Sequence, residues 1–337
     1  MIDPRSKARA TAIAAAVVGL FLATAVIGYF NLGAVLAAIK PIGASGFLIV
    51  IAAQIALFAP LGLAWWLATP AEPWRRAGVF VWGRLMREAA SDVLPFSQLG
   101  GIVIAARAAV LGGVSTATAF GSNIVDVTVE VVAQLIYTLV GVALLAQRLN
   151  FASGGHRLLL PLLGGVAVAA CMVVGFVATQ KQGLRIVEGL VHRMVPTAGH
   201  HATAVTRVIE IAYGRPLRLG TCLVLHVSAW FGAAVGTWLI LAFIGHRLPF
   251  LSVVAIESLL FAIRNAAFMI PGGLGVQEGA YALLGPLFGL PAEAALALSL
   301  LKRARDISIG IPMLLSWQIL ESRRPLRRKP SEPVAPA

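Results

Sequence analysis

Two charged residues of opposite sign and a glycine-rich break are the parts of this chain that could do chemistry. Glu257 and Arg264 lie seven residues apart in an apolar run, so on a helix both face the same side. The run ends at Pro-Gly-Gly-Leu-Gly, residues 271–275, and Glu278 follows. A helix cannot continue through this break, because proline lacks an N–H and glycine favours other backbone conformations.

The break and its charges indicate a functional site if they lie inside a membrane. Irregular backbone at that depth is tolerated only where protein buries it or where it lines a wet cavity. Charged side chains there are expensive and mark a functional site by default. The alternative is a kinked helix whose charges lie near the lipid headgroups. On the next apolar segment, Lys302 and Arg303 have helical pair spacing with Asp306, and such pairs could also serve only to hold helices together.

The composition predicts an all-α, polytopic integral membrane helix bundle. Hydrophobic residues make up 59% of the 337 residues, charged residues only 12%, and the mean hydropathy is +0.87. A soluble domain carries about twice that charge. Several apolar runs approach or exceed the roughly 20 residues that span a bilayer, and they are continuous, whereas barrel strands alternate. The net charge of +13 comes from basic residues between and beside these runs, as in membrane proteins, and no nucleic-acid-binding motif accompanies it.

Seven spans are predicted from the apolar runs, and a broken segment would make an eighth: 10–30, 43–68, 117–146, 157–179, 219–244, 250–270 and the segment from 291. The arginine-rich stretch that includes Arg84 and Arg87 is predicted to be a cytoplasmic loop. Residues 88–113 and the stretch around 271–290 are predicted to be broken or re-entrant helices. Residues 181–218 are predicted to form amphipathic helices on the inner leaflet, and residues 321–337 a disordered basic tail. Both termini are expected in the cytoplasm, across a bacterial inner membrane.

An internal repeat is visible when the chain is compared with itself at an offset. The shift that places Pro95 on Pro271 also places 43–68 on 219–244. Under the same shift Glu88 meets Arg264, and Glu130 meets Asp306. The predicted halves are 10–146 and 158–320, within one transmembrane domain over 1–320. Two halves that each contain a broken, charged segment are typical of transporters whose site lies between the repeats.

Sequence patterns typical of catalytic or metal-binding sites are weaker than the features that indicate a transport site. The sequence has no Ser/His/Asp spacing, nucleotide-binding loop or G-x-G-x-x-G motif. Cys171 and Cys222 lie in apolar runs without C-x-x-C spacing and are expected to be small core residues. We therefore expect no enzyme, no cofactor and no metal. The alternatives are a membrane-embedded, lipid-modifying enzyme that uses buried carboxylates, or a non-transporting partner of lipid-biosynthesis proteins.

The core motif resembles a known family. The run Glu257-Ser258-Leu259, Arg264-Asn265-Ala266-Ala267-Phe268 and Pro-Gly-Gly-Leu-Gly-Val-Gln-Glu, followed by Lys-Arg-Ala-Arg-Asp at 302–306, is similar to the lysylphosphatidylglycerol synthase transmembrane, flippase-like superfamily. Together with Leu-Pro-Phe-Ser-Gln-Leu-Gly-Gly at 94–101, it resembles most the hopanoid-associated membrane proteins of the HpnL type.

The resemblance implies a lipid transporter or flippase that acts on a hopanoid or phospholipid. The aminoacylating members carry a soluble domain for which this chain has no segment, so lysyl transfer is not expected. The family motif carries over to the break and to Glu278, and less directly to Glu257 and Arg264. The candidate substrate-binding residues are Glu257, Arg264, Pro271, Gly272, Gly273, Gly275, Glu278, Arg305, Asp306, Glu88, Arg107 and Glu130.

Overall fold

A computed structural model describes residue 37 and residues 40–70, 72–93, 97–150, 199–267 and 275–322. This part of the chain consists of helices and contains no strand, which confirms the all-α bundle. Its helices are α1 (Gly43–Ala68), α2 (Ala77–Val93), α3 (Ser97–Leu111), α4 (Thr116–Asn150), α5 (Gly199–Tyr213), α6 (Pro216–Phe243), α7 (Phe250–Ala266), α8 (Val276–Leu287) and α9 (Ala292–Ser322), with 3-10 turns at Lys40–Ile42 and Trp74–Arg76. The predicted spans 10–30 and 157–179 and most of the basic tail lie outside the described residues.

Three of the described helices are long and apolar enough to cross a membrane. They are α4, α6 and α1 together with its preceding turn, and they match three predicted spans closely. The helix α9 is also long, at 31 residues, but it carries four charged residues between 302 and 306. The count of seven or eight spans stays a prediction, because two of those spans lie outside the described residues.

Helix boundaries follow the internal repeat. The shift that places Pro95 on Pro271 also relates the ends of the helices. It places the first residue of α4, Thr116, on the first residue of α9, Ala292. It also places the last residue of α3 on the last residue of α8. Each of these two short helices is followed by a glycine with positive φ, +90° at Gly113 and +86° at Gly289. In both cases the next amide bonds back to the carbonyl five residues earlier, which is the bonding of a Schellman helix end.

Helix packing follows the same relation. We call α1–α4 the first repeat and α6–α9 the second. The helix α1 packs on its counterpart α6, α2 of the first repeat packs on α9 of the second, and α7 of the second packs on α4 of the first. The two repeats therefore interlock rather than lying side by side. The largest apolar core lies mainly within the second repeat and includes Ile240, Val253, Leu260 and Leu296.

The structure changes three details of the predicted polar segments. The stretch predicted to be a cytoplasmic loop becomes helix α2 from Ala77 onwards, and Arg84 and Arg87 on it are buried. These two arginines can be buried because they find an acidic partner on α4, and the side of the membrane on which the segment lies stays a prediction. In the predicted amphipathic segment, α5 packs on α4, and its Ile209 and Ala212 are buried there. The helix α9 runs to Ser322, past the predicted start of the disordered tail at 321.

Candidate functional site

A polar cavity of about 350 Å³ lies between the two repeats. All four helices of the first repeat line it, α3 through Ile102 alone, and α6, α7 and α9 line it from the second. Apolar side chains such as Leu57, Trp230 and Phe261 form part of the wall. Its charged lining comes from both repeats: Arg84, Arg87, Glu88, Asp92 and Glu130 from the first, and Arg264, Lys302, Arg305 and Asp306 from the second.

The first repeat contributes a compact arginine–carboxylate cluster. Arg84 binds both carboxylate oxygens of Glu130, and its Nη1 lies 2.8 Å from Oε2. Nη2 of Arg84 also lies 2.7 Å from Glu88 Oε1, one helical turn along α2. Nη1 of Arg87 lies 2.8 Å from Glu130 Oε2, an ion-pair distance, but without the alignment of a hydrogen bond. A bidentate arginine–carboxylate pair fixes the relative geometry of the two side chains as well as pairing their charges. The pair therefore connects α2 to α4 beside the cavity.

In the second repeat, Lys302 is the centre of a complete network. Nζ of Lys302 donates to Glu257 Oε2 at 2.6 Å and to Tyr281 Oη at 2.8 Å, and it lies 3.3 Å from Thr237 Oγ1. The Tyr281 hydroxyl in turn donates to the other carboxylate oxygen of Glu257. A buried ion pair is tolerated when additional hydrogen bonds satisfy its remaining polar atoms, and this network meets that condition.

The pairings suggested by helical spacing are wrong in this region. Glu257 pairs with Lys302, whereas Arg264 lies 3.5 Å from Asp92 of the first repeat. Asp306 does not pair with Lys302 or Arg303 but with its neighbour Arg305, at 2.7 Å. For Glu257 and Arg264 the physical reason is that α7 presents these side chains to α9 and α2, so partners on other helices win over partners on the same helix. Asp306 instead keeps a partner on its own helix, the adjacent Arg305.

Glu278 is a helix cap and a brace instead of a cavity residue. Its carboxylate accepts the backbone N–H of Gly275 at 2.9 Å, which caps the N-terminus of α8. The same carboxylate accepts from Arg303 Nη2 at 2.8 Å, which ties α8 to α9. Gly275 has φ +76°, as expected at a sharp entry into a helix. Pro271, Gly272 and Gly273 lie outside the described residues.

The structure brings five of the twelve candidate residues to the cavity and separates others from it. Glu88, Glu130, Arg264, Arg305 and Asp306 line the cavity, and Glu257 lies behind Lys302. Arg107 does not line it: this half-exposed side chain pairs with Glu321 at 2.6 Å. At this position α3 faces the end of α9, so a role of Arg107 in substrate binding stays a prediction without support from the cavity.

Sequence reasoning missed several cavity residues. The list of candidates omitted Arg84, Arg87, Asp92 and Lys302, all of which line the cavity. A signal for three of them was present, because 84, 87, 88 and 92 follow helical spacing and place charges of both signs on one face of α2. The stretch with Arg84 and Arg87 was instead interpreted as a loop on the basis of its arginines, and Asp92 was assigned to the broken helix predicted over 88–113.

Three further side chains, Asp126, Cys222 and His226, form a buried cluster next to Arg84 and Arg87. Nε2 of His226 lies 2.9 Å from Asp126 Oδ1, and Cys222 Sγ lies 3.9 Å from the same oxygen. All three residues are buried, and their donor atoms lie within 4.8 Å of one another, which makes this a candidate metal-ligating group. Arg84 and Arg87 approach the other oxygen, Oδ2, to 3.8 Å each. Sequence spacing could not reveal the group, because Asp126 is remote in the chain from the other two residues.

Comparisons with known proteins identify the family. Neither the curated proteins nor the solved structures give a match. The family described as the lysylphosphatidylglycerol synthase TM region matches residues 10–312. This range contains all the cavity-lining residues and most of the chain. The chain therefore belongs to the family of the lysylphosphatidylglycerol synthase TM region, and it is a membrane protein of lipid metabolism or transport.

Proposed function

We propose that this protein is a lipid transporter of the flippase type, which passes a polar headgroup through the cavity between its repeats while the lipid tails stay in the bilayer. The observation that carries the proposal is the charged cavity itself. Nine charged side chains, five cationic and four anionic, line one cavity in a bundle of apolar helices. Charges of both signs keep water and polar groups at a depth where hydrocarbon would exclude them.

The pair Arg264–Asp92 is the part of the cavity best suited to open for a headgroup. Its side chains come from different repeats, are 20% and 25% exposed, and are separated by 3.5 Å. The tight pairs at the cavity are closer and less exposed, for example 2.6 Å for Lys302–Glu257 and 2.7 Å for Arg305–Asp306. A loose, partly solvated pair costs less free energy to separate than a tight, buried one. A passing headgroup would therefore contact Arg264 and Asp92 first.

A hopanoid is the lipid that the sequence resemblance favours, and a phospholipid is the alternative. A cationic cavity would select a phosphate, but the five cations that line this cavity face as many carboxylates when Glu257, behind Lys302, is included. A nearly balanced cavity is compatible with a headgroup that carries hydroxyl groups and no phosphate. We also propose a bacterial inner membrane with cytoplasmic termini as the location of the protein, on the basis of its basic loops.

The experiment is lipid movement in proteoliposomes made from the purified chain. Fluorescent phospholipid and labelled hopanoid are tested in separate vesicles, and the fraction that reaches the outer leaflet is followed with an impermeant quencher. We expect Asp92→Asn and Arg264→Gln each to slow movement at least tenfold. The matched control is Arg107→Gln, which breaks an ion pair outside the cavity and should leave the rate unchanged.

Three results decide the proposal. Selective movement of the hopanoid supports the hopanoid assignment, and movement of phospholipid alone supports a general flippase. If neither lipid moves faster than in protein-free vesicles, transport by this chain is refuted. Because the sequence shows no nucleotide-binding loop, movement should need no ATP and should be passive or respond to an ion gradient.

A further inference from the structure

The cluster of Asp126, Cys222 and His226 lies outside the proposed transport cavity and has an unbalanced charge. Cys222 and His226 are one turn apart on α6, and both face Asp126 on α4. The adjacent charged groups are Arg84, Arg87, Glu88 and Glu130, all within the ion-pair network described above. With a neutral imidazole and thiol, two arginines face three carboxylates when Asp126 is included, so the cluster has one excess negative charge.

The other ion pairs that we describe do balance. Lys302 has Glu257, Arg303 has Glu278, Arg305 has Asp306 and Arg264 has Asp92. The excess charge therefore belongs to the surroundings of Asp126, a fully buried residue. An uncompensated charge at that depth is costly, and the described side chains supply no further cation to offset it.

Hydrogen bonding at the cluster is also incomplete. Oδ2 of Asp126 and Nδ1 of His226 are buried without a hydrogen-bond partner among the described residues. Buried polar atoms without partners are uncommon, and each one calls for an explanation, such as an ion. Two such atoms in one charged cluster indicate that the cluster is incomplete. The missing component is one that the protein chain does not supply.

We propose that Asp126, Cys222 and His226 bind a divalent cation of the zinc class. Thiolate, imidazole and carboxylate together form a ligand set typical of Zn²⁺, with three protein ligands and one further position. Their donor atoms already lie within 4.8 Å of one another. The positions at 222 and 226 also have the i, i+4 spacing that places two ligands on one helical face.

The binding step balances in charge and in protons. The cation takes the lone pairs of the Cys222 sulfur, a His226 nitrogen and the Asp126 carboxylate, and the thiol proton leaves to solvent. The cluster gains two positive charges and one thiolate, so its net charge changes from −1 to zero. A proton on His226 would balance the charge as well, but it would leave Asp126 Oδ2 and the thiol without a new partner. The bound ion would join α4 of the first repeat to α6 of the second.

The test uses the full chain with Cys171→Ser, in which Cys222 is the only cysteine. The detergent-purified protein is stripped of metal and titrated with Co²⁺, whose thiolate charge-transfer absorption reports sulfur coordination. We expect saturation at one Co²⁺ per chain with that absorption, and competition by Zn²⁺. Because Cys222 is the only thiol present, the band assigns the ligand without any change at the site.

Ligand variants then define the other two positions. In the same background, Asp126→Asn and His226→Ala should weaken Co²⁺ binding by more than the roughly tenfold that loss of an outer-shell partner costs, while Glu321→Gln should leave binding unchanged. Absence of the thiolate band in the Cys171→Ser protein overturns the proposal, and so does a band that survives Cys222→Ala. These results are independent of lipid movement, so failure here leaves the transport proposal standing.

Discussion

Residues 126 and 302 occupy equivalent positions in the two repeats and carry opposite charges. The shift that relates the starts of α4 and α9 also relates these two residues, and both are buried. Lys302 has a carboxylate, a phenol and a hydroxyl within 3.3 Å or less. Asp126 has an imidazole at 2.9 Å and a thiol at 3.9 Å, and its second oxygen has no hydrogen bond from any described residue.

The difference shows that the two repeats share the arrangement of their helices but differ in how their buried charges are paired. In the second repeat the charge of the long helix is neutralised by side chains of that repeat, so this region can act as a rigid frame. In the first repeat the equivalent charge faces arginines that also line the cavity. A change at Asp126 therefore reaches the cavity only through Arg84 and Arg87, whereas Lys302 lines the cavity itself, so its replacement acts on folding and on the cavity together.

The largest effect should come from removing the charge of Lys302. Lys302→Met leaves Glu257 buried and unpaired, and we expect a loss of about 3–5 kcal/mol in the free energy of unfolding. Denaturant unfolding in detergent measures it. The control is Arg107→Met, which removes one side of an exposed pair and should cost about 1 kcal/mol or less.

The double variant Lys302→Met with Glu257→Gln sharpens this test. If the lysine serves mainly to neutralise Glu257, the double variant should recover at least half of the lost stability, as a double-mutant cycle would record. A double variant that is no more stable than Lys302→Met would contradict the interpretation of this network as a self-contained ion pair.

An intermediate loss of stability is expected from replacing an equivalent glycine in either repeat, and the loss should be the same in both. Gly113 and Gly289 follow α3 and α8 with positive φ, and a Cβ at either position would meet no atom within 4 Å. The cost of Gly113→Ala or Gly289→Ala is therefore the backbone strain alone, about 1–2 kcal/mol each. Thermal or denaturant unfolding of the two variants should agree closely. A large difference between them would show that the repeats differ in backbone as well as in charge.

The smallest effect should come from Asp126→Asn in metal-free buffer. Asparagine retains an oxygen to accept from His226 and removes the excess negative charge, so the cost should be no more than about 1 kcal/mol, the net value of an ordinary hydrogen bond. A loss as large as that of Lys302→Met would break the comparison. It would mean that Asp126 is as fully paired as its counterpart.

Much of the helical plan could be predicted from the sequence. The predicted span 43–68 coincides with α1, and the shift that places Pro95 on Pro271 anticipates the starts of α4 and α9. Apolar runs, prolines and glycines near each helix end determine these boundaries, so the local sequence is enough to predict them. The family and the location of a charged site between the repeats were also accessible, because the charged segments recur at the same offset.

The partners of the charges could not be predicted. Lys302 meets Glu257 across 45 residues, and Arg84 meets Glu130 across 46. Helical spacing suggested partners one turn away, but helix packing presents these side chains to other helices. Arg84 and Arg87 were missed for a related reason. A cluster of arginines indicates an exposed loop unless the carboxylates that pair with the arginines are already known.

The central claim is that a lipid passes between the two repeats, and a steric block tests it most directly. Ala233 of α6 lines the cavity, whereas Val235, two residues later, is exposed on the same helix. Ala233→Phe should fill part of the cavity of about 350 Å³ without changing any charge, and Val235→Phe is the matched control.

The measurement is the rate of labelled-lipid movement in proteoliposomes, with folding of both variants checked by thermal unfolding. We expect at least a tenfold slower rate for Ala233→Phe and an unchanged rate for Val235→Phe. An Ala233→Phe protein that is folded and moves lipid at the original rate would contradict a path through this cavity.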